Sequence, residues 1–387
     1  MRNTLICTVG TSLFKPNLFG LLNAEKYQDW LKRQPESDQE YLSLELFTNL
    51  KTAFTDQNCS QIANYMTQIP GETRLCGAEI NSITDLIERE YCTKDCLLIF
   101  CHSETKEGQE IANILEDYYR SKGHRVKLLE ITGLQDEDPK KFRTYGLRNL
   151  AKKIGQVVRE QSAQFCAINA TGGYKAQIAI GVLMGQALGV PVYYKHERFS
   201  EIIAFPPMPV SLDFDLWLQK SGLLNILEKD VIRWQTIEDD WDERLESLVE
   251  RVTIDGDIYL ELSPTGQIFH ETFKGRFASD RDLILPPPIP ENQKQKPRLS
   301  DHSWGIARNP IQNFMEKIIN ECPYVRACHT DYWNPDLSSP TLFKIKGEQI
   351  QGIYSNGSWT VKLIIETSAN TTGQRNACIA DLNSRFG

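Results

Sequence analysis

The chain has 387 residues, of which 41% are hydrophobic and 24% charged, with a formal net charge of −8. This length exceeds one ordinary core and calls for two or three domains of a globular protein. The acidic balance excludes bulk charge as a means of holding nucleic acid, and no apolar run of about 18 residues reads as a membrane span.

Residues 1–210 alternate strands and helices. A strand over 4–9 runs into Gly10-Thr11-Ser12, and polar and helical material follows to about residue 90, including helices over 43–55 and 60–67. Next come a strand over 96–101, a helix over 105–122 with Ile111, Ile114, Leu115 and Tyr118 at helical spacing, a strand over 125–131 and a helix over 145–161. A strand over 164–169, a helix over 175–188 and a strand over 190–195 complete the set. Continuous apolar strands alternating with helices predict a parallel, doubly wound α/β sheet. The N-terminus enters a strand at once, so no leader segment is expected. Ten scattered cysteines, several inside apolar runs (Cys7, Cys96, Cys101, Cys166) and none in a Cys-x-x-Cys pair, suggest reduced thiols and a cytoplasmic protein.

Pro206-Pro207-Met208-Pro209 closes this first domain. Residues 211–285 follow as a small α+β unit, with helices over 212–228 and 240–252 and a hairpin of 252–254 with 258–262 around Asp255-Gly256. Helices followed by a hairpin suggest a winged-helix arrangement. The acidity of residues 228–261 favours a spacer or dimer scaffold over a DNA reader. Residues 286–300 hold five prolines and little apolar mass, which predicts an extended linker. Residues 301–387 form a further α+β unit. Its helix over 310–321 aligns Ile311, Phe314, Met315, Ile318 and Ile319, and strands are expected over 342–346, 349–354, 358–366 and 377–382. In residues 342–387, Lys344, Lys346, Lys362, Arg375 and Arg385 stand against Glu348, Glu366 and Asp381, five positive charges to three negative.

The most informative stretch is Asn169-Ala170-Thr171-Gly172-Gly173-Tyr174-Lys175, where a buried strand breaks on two glycines and re-enters a helix. A strand end, a glycine turn and a helix start together offer free backbone N–H groups to an anion. Lys175 adds a mobile positive charge, and Asn169 and Thr171 add side-chain hydrogen bonds. Gly10-Thr11-Ser12 forms a matching corner, and open parallel sheets bind ligands at this edge. A phosphate-bearing ligand follows. Neither the triphosphate loop Gly-x-x-x-x-Gly-Lys-Ser/Thr nor the dinucleotide motif Gly-x-Gly-x-x-Gly is present. A second reading makes Gly172 and Gly173 a device for close strand–helix packing only.

Cys7-Thr8-Val9-Gly10-Thr11-Ser12-Leu13 together with Asn169–Lys175 resembles the CARF domain of CRISPR-associated effectors and ring nucleases in type III antiviral defence. The resemblance spans roughly residues 1–205. It implies a Rossmann-like homodimer that binds a cyclic oligoadenylate, expected as the tetra-adenylate, across its two-fold axis. Gly10, Thr11, Ser12, Asn169, Thr171, Gly172, Gly173 and Lys175 would then hold phosphates and riboses. Some CARF domains cleave the ring, the ribose 2′-OH attacking the adjacent phosphate while Lys175 and a Thr11 or Ser12 hydroxyl steady the charge.

The downstream activity is narrowed by elimination. The HEPN ribonuclease motif Arg-x4–6-His is absent, since Arg298 and His302 are separated by three residues and Arg326 and His329 by two. No Glu-x-Lys follows Glu348, Glu366 or Asp381, and zinc-ligand clusters are missing. Residues 301–387 instead resemble a RelE-type toxin, and the whole layout resembles CARF–RelE fusions. The implied activity is metal-independent, ribosome-dependent mRNA cleavage with no cofactor beyond the activating ring. Candidate groups are Lys344, Lys346, Lys362, Arg375 and Arg385 on the scissile phosphate, with Tyr354 and His329 for proton transfer or stacking. The alternatives are surface lysines on a small sheet, a ring nuclease with a structural C-terminal domain, and a ring-responsive winged-helix transcription regulator.

Overall fold

The computed structural model describes residues 2–135, 137–196, 201–209 and 211–387. The chain divides into two compact units, Met1–Ser211 and Leu212–Gly387. Residues 212–285 and 301–387 fall together in the second, and the expected boundary at 210 lies outside the described residues.

In the first unit, β1 (Arg2–Thr8), β2 (Cys92–Ser103), β3 (Val126–Ile131), β4 (Cys166–Asn169), β5 (Val192–Lys195) and β6 (Ile202–Phe205) form one sheet in the order β3-β2-β1-β4-β5-β6. All neighbours are parallel except β6, which runs antiparallel to β5. The longer helices are α1 (Leu44–Thr55), α2 (Cys59–Met66), α3 (Gly77–Glu88), α4 (Lys106–Ser121), α5 (Arg148–Gln161) and α6 (Lys175–Leu188). Consecutive Leu5, Ile6 and Cys7 are all fully buried, because helices cover both faces of β1. Leu5 and Cys7 share a core with Phe100, with Ile80 and Ile83 of α3, and with Ile111 and Leu115 of α4. On the opposite face Ile6 lies in register with Ile168, against which α6 packs through Gly181. Residues 13–90 contribute much of the first core, including Leu13, Trp30, Leu50 and Ile62.

The second unit opens with α7 (Phe214–Lys229), followed by β7 (Ile232–Arg233), β8 (Val249–Ile254) and β9 (Asp257–Leu262) in a sheet of order β7-β9-β8. Helix α8 (Pro264–Ile284) follows, then α9 (Arg308–Glu321) and a four-stranded antiparallel sheet of order β10-β13-β12-β11. Its strands are β10 (Val325–Asn334), β11 (Leu342–Lys346), β12 (Gln349–Ser355) and β13 (Thr360–Thr367), and α10 (Thr372–Phe386) ends the chain. Ile311, Met315 and Ile318 of α9 and Cys378, Ile379 and Leu382 of α10 pack with Phe343, Ile350, Val361, Leu363 and Ile365 of the sheet.

Three expectations are corrected. The helix over 240–252 does not form. A short 3-10 turn at Glu243–Leu248 leads into β8, because Val249–Ile254, with β-branched Val249, Val252, Thr253 and Ile254, pairs with β9 as far as Val249↔Leu262. The strand over 377–382 is part of α10, capped by the Thr371 hydroxyl, which accepts the Gln374 N–H at 3.2 Å. One face of this helix meets the sheet, while Ala380 packs with α7 and α8, so its sequence carries the unbroken apolar look of a strand. The proline-rich stretch is extended but not free: the N–H groups of Ile289, Gln295 and Arg298 donate to Pro323, Arg326 and Cys328 at 2.8, 2.8 and 3.1 Å. Helix α8 and strand β10 are absent from the sequence expectations, and α3 falls in the stretch to about residue 90 read only as polar and helical material. The Ser263-Pro264 start of α8 is a helix signal, with the Ser263 hydroxyl accepting the Gly266 N–H at 3.0 Å. Among the described residues no helix is long and apolar enough to cross a membrane.

The edge of β11 is sealed by a side chain. Asn383 of α10 accepts the Phe343 N–H at 2.8 Å and donates to the Phe343 carbonyl at 2.9 Å, doing for this strand what a neighbouring strand would. Asn383→Ala leaves two buried backbone groups unpaired and is expected to destabilise the second unit by about 2 to 4 kcal/mol. All tryptophans but Trp30 lie in this unit, so their fluorescence in a urea titration reads the loss, and an unchanged midpoint would discount the seal.

Candidate functional site

The two corners named from the sequence meet. Strands β1 and β4 are sheet neighbours, with Cys7 in register with Asn169, and they flank the point where the strand order reverses direction. In open α/β sheets, the crevice at the carboxyl ends of such strands is where ligands bind. A Cβ on Gly10 would overlap the Gly173 nitrogen and lie 3.1 Å from its Cα, so the two backbones touch only because side chains are absent. Gly173 adopts a φ of 101°, a left-handed value that favours glycine. The Thr8 hydroxyl donates to the Gly172 carbonyl at 2.5 Å, stitching the corners together.

Beneath them lies a carboxylate that the sequence reading does not include. Glu79 of α3 is 1% exposed. Its Oε1 accepts the Gly10 N–H at 2.6 Å and its Oε2 accepts the Ser12 hydroxyl at 3.2 Å, while Ser12 Oγ accepts the Ala78 N–H at 3.0 Å. A Cβ on Gly172 would collide with Glu79 Oε1 and the Thr8 carbonyl, which fixes the need for glycine there. The same face of α3 supplies Ser82, 0% exposed, to the Asn169 amide at 2.8 Å, and Asp85, 6% exposed, to Lys195 at 2.9 Å. Each of these side chains anchors the end of a different strand: β1, β4 and β5. The signal in the sequence is three polar residues spaced three apart within an apolar helical stripe.

The candidate ligand residues divide by accessibility. Asn169 is 2% exposed, and its Oδ1 accepts the Thr171 hydroxyl at 2.6 Å. Thr171 Oγ1 in turn accepts the Lys195 N–H at 3.0 Å, so these two side chains shape the corner from inside. The backbone N–H groups of Thr11, Ser12, Gly172 and Gly173 meet no acceptor among the described residues. Thr11 and Lys175 are exposed, and Lys175 forms no ion pair among the described residues. Gln177 Oε1 accepts the Tyr174 N–H at 2.5 Å, which caps α6 and fixes where Lys175 starts. Beside the corner opens a cavity of about 260 Å³ lined by Ser12, Arg74, Asn81, Thr171, Lys195 and His196 among others. Free N–H groups, a lysine and a polar recess together can hold a phosphorylated, hydroxyl-rich ligand.

The seven candidate catalytic groups do not share one surface. Cross-strand pairing places Lys344, Gln351, Ile364 and His329 in one row of the four-stranded sheet, and Leu342, Ile353, Lys362 and Tyr332 in the next. Lys344, Lys346, Lys362 and His329 therefore occupy the face turned away from α9 and α10. Lys344 pairs with Asp240, Lys362 Nζ sits 5.0 Å from the Tyr332 ring centre, and His329 Nδ1 lies 3.9 Å from Glu366. Tyr354 is on the other face, stacked on Phe314 at 3.9 Å. Arg375 and Arg385 are on α10, where Arg375 reaches Thr372 at 3.2 Å and Arg385 reaches Asp381 at 2.9 Å. Among the described residues no group of three or more His, Cys, Asp or Glu side chains is placed to hold a metal ion.

Burial raises the pKa of Glu79 above the ordinary glutamate value, against the pull of the Gly10 N–H and Ser12 hydroxyl. The native protein thus holds this proton more tightly than the unfolded chain. Its contribution to stability is complete below the ordinary glutamate range and is lost as pH rises through the raised value. Wild-type stability relative to Glu79→Gln should therefore fall over the pH range above the ordinary glutamate value in denaturant titrations. A difference that stays level across that range would show that the burial of this charge has no energetic consequence.

Residues 74–208, which supply Glu79, Asn169 and Lys175, match the family model described as CRISPR-associated protein (Cas_APE2256). No curated protein matches the chain. Among solved structures, the chain is similar to Can2 from Sulfobacillus thermosulfidooxidans in complex with cyclic tetra-adenylate, at 12% identity over 73% of this chain and 65% of that one, with a TM-score of 0.24. It is also similar to protein VC1899 from Vibrio cholerae, at 11% identity over 70% of each chain, with a TM-score of 0.20. TM-scores this low lie below those of chains that share an overall fold.

Proposed function

We propose that this protein is an antiviral effector of the CRISPR-associated kind. Two copies bind a cyclic oligoadenylate, the tetra-adenylate in the first instance, at the β1 and β4 corners, and the second unit then cuts mRNA on the ribosome without a metal. The observation that carries this reading is the contact between Gly10 and Gly173 at the strand-order reversal, beside N–H groups and a Lys175 ammonium that have no partner among the described residues. The match of residues 74–208 to a CRISPR-associated family model supports the same reading.

In this proposal the N–H groups of Thr11, Ser12 and Gly173 and the Lys175 ammonium hold ring phosphates, and the recess by Arg74 and Asn81 receives an adjoining nucleoside. A ring of repeating nucleotides offers the same face to both copies, which suits a two-fold dimer. Ring binding activates only to the extent that it distinguishes the resting from the active state. For cleavage, the ribose 2′-OH attacks the adjacent phosphorus, its proton passing to a base, the role we propose for His329. The bond to the 5′-oxygen breaks, that oxygen takes up a proton, and a 2′,3′-cyclic phosphate remains. Lys344, Lys346 and Lys362 share the His329 face of the sheet and would hold the phosphate. Arg375, Arg385 and Tyr354 lie elsewhere and enter the site only if the strands or α10 move.

Two measurements test this. Calorimetry with cyclic tri-, tetra- and hexa-adenylate should show one ring binding tightly, and Lys175→Ala should weaken it at least tenfold, about 1.4 kcal/mol. Absence of heat with every ring sinks the ligand. With binding established, translating ribosomes plus the protein and saturating ring should yield cut mRNA, with Lys362→Ala slower by about tenfold or more. Intact mRNA in that assay rejects the effector role.

A further inference from the structure

The second unit contains a cavity of about 390 Å³ that the reading above does not use. Three helices wall it. Helix α7 gives Trp217 and Asn225, α8 gives Lys274, Phe277 and Arg281, and α10 gives Asp381, Ser384 and Arg385. At its base Asp381 is 2% exposed. Its Oδ1 accepts Arg281 Nε at 2.6 Å, and its Oδ2 accepts Arg385 Nε at 2.9 Å and the Tyr324 hydroxyl at 2.8 Å. One buried carboxylate therefore orients two arginines from different helices, each through Nε. The terminal Nη nitrogens of both have no hydrogen-bond acceptor among the described residues.

Such forks are built for phosphate, because a guanidinium presents two parallel N–H donors that match two phosphoryl oxygens. Lys274 adds a third cation at the wall, held by Glu228 at 2.9 Å. Three positive groups stand against Asp381 and Glu228, which leaves one positive charge for an anion to neutralise. Ser384 and Asn225 offer neutral polar atoms, and Trp217, Phe277 and Ala380 bring apolar surface against which a base can lie. We propose that this cavity binds the phosphoryl group of a nucleotide, either free or as one unit of an RNA strand, through the paired Arg281 and Arg385 forks, with Asp381 as the residue that positions them. It is a second site, separate from the ring-binding corner, and it requires nothing of that corner.

The test uses the full chain with neither ring nor ribosome, so its outcome is independent of both. Calorimetry with adenosine 5′-monophosphate and fluorescence anisotropy with a labelled ten-residue oligoadenylate read the two sources separately. Binding of the mononucleotide alone identifies a free nucleotide, and binding of the oligomer identifies RNA; either supports the site when the arginine variants weaken it, because adenylate held at the β1 and β4 corners would not respond to them. Arg281→Lys and Arg385→Lys keep the charge but remove the fork, and each is expected to weaken the bound probe at least tenfold. For the oligomer, the log–log salt slope should stay near that of wild type in these variants, because lysine keeps the charge and only the fork is lost. Arg276→Ala, on the same helix but outside the cavity, should bind as wild type, and unchanged thermal midpoints should show that the variants fold. Failure of both probes to bind wild type at millimolar concentration, or wild-type affinity in the double lysine variant, overturns the proposal.

Discussion

A single helix holds together the edge of the first unit where β1, β4 and β5 end. Glu79, Ser82 and Asp85 of α3 are buried and polar, and buried polar groups must find partners. Each finds one at the end of a different strand, β1, β4 or β5, and these three strands are consecutive in the sheet. The geometry explains why the spacing is three. Residues three apart on a helix advance about 4.5 Å along its axis, and neighbouring strands lie about 4.8 Å apart. A helix laid across the strand ends therefore brings one polar group to each strand in turn. Apolar residues at these positions would bury as well, but would leave the Gly10 N–H and the Asn169 amide without partners.

This clasp sets the electrostatics of the corner. In its ionised form Glu79 would put a negative charge under corners whose N–H groups meet no acceptor among the described residues, and like unit charges about 5 Å apart repel by about 3 kcal/mol at an effective dielectric of about 20. Neutral N–H groups, at about 1.5–3 kcal/mol for each bond to a charged group, outweigh this only in combination. In the proposed binding mode Lys175 would do more than add one contact, since it would offset that charge. Lys195 cannot do the same, because its ammonium is committed to Asp85. The raised pKa of Glu79 works in the same direction, because a protonated carboxyl removes the repulsion.

The sheet of the first unit is legible in the sequence for a simple reason. Strands buried on both faces, such as Leu5-Ile6-Cys7 and Leu98-Ile99-Phe100, carry unbroken apolar runs, and Thr105 and Gly189 mark helix ends by ordinary capping chemistry. The two corners are legible because glycines paired with hydroxyls at strand ends have few other uses. Glu79 is not, because an acidic residue on an amphipathic helix looks solvated until its neighbours in space are known. The second unit is harder for the opposite reason. The run Ala377–Leu382 is apolar because α10 is buried on two sides, and periodicity cannot separate that from a buried strand.

Helix α10 also shows why its polar residues sit where they do. Asn383 and Asp381 are both 2% exposed, and each serves backbone or side chains of other elements. Asn383 pairs with the edge of β11, while Asp381 gathers Tyr324, Arg281 and Arg385. An isolated buried carboxylate would be costly, whereas one with three donors is tolerated and lends its order to them. Arg281 comes from α8 and Tyr324 from the approach to β10, so the same atom pair ties residues 264–284 to residues 301–387. Replacing the cluster with apolar side chains could fill the volume equally well. It could not hold two guanidinium groups still with their outer nitrogens turned to an open cavity, and that arrangement is difficult to explain by stability alone.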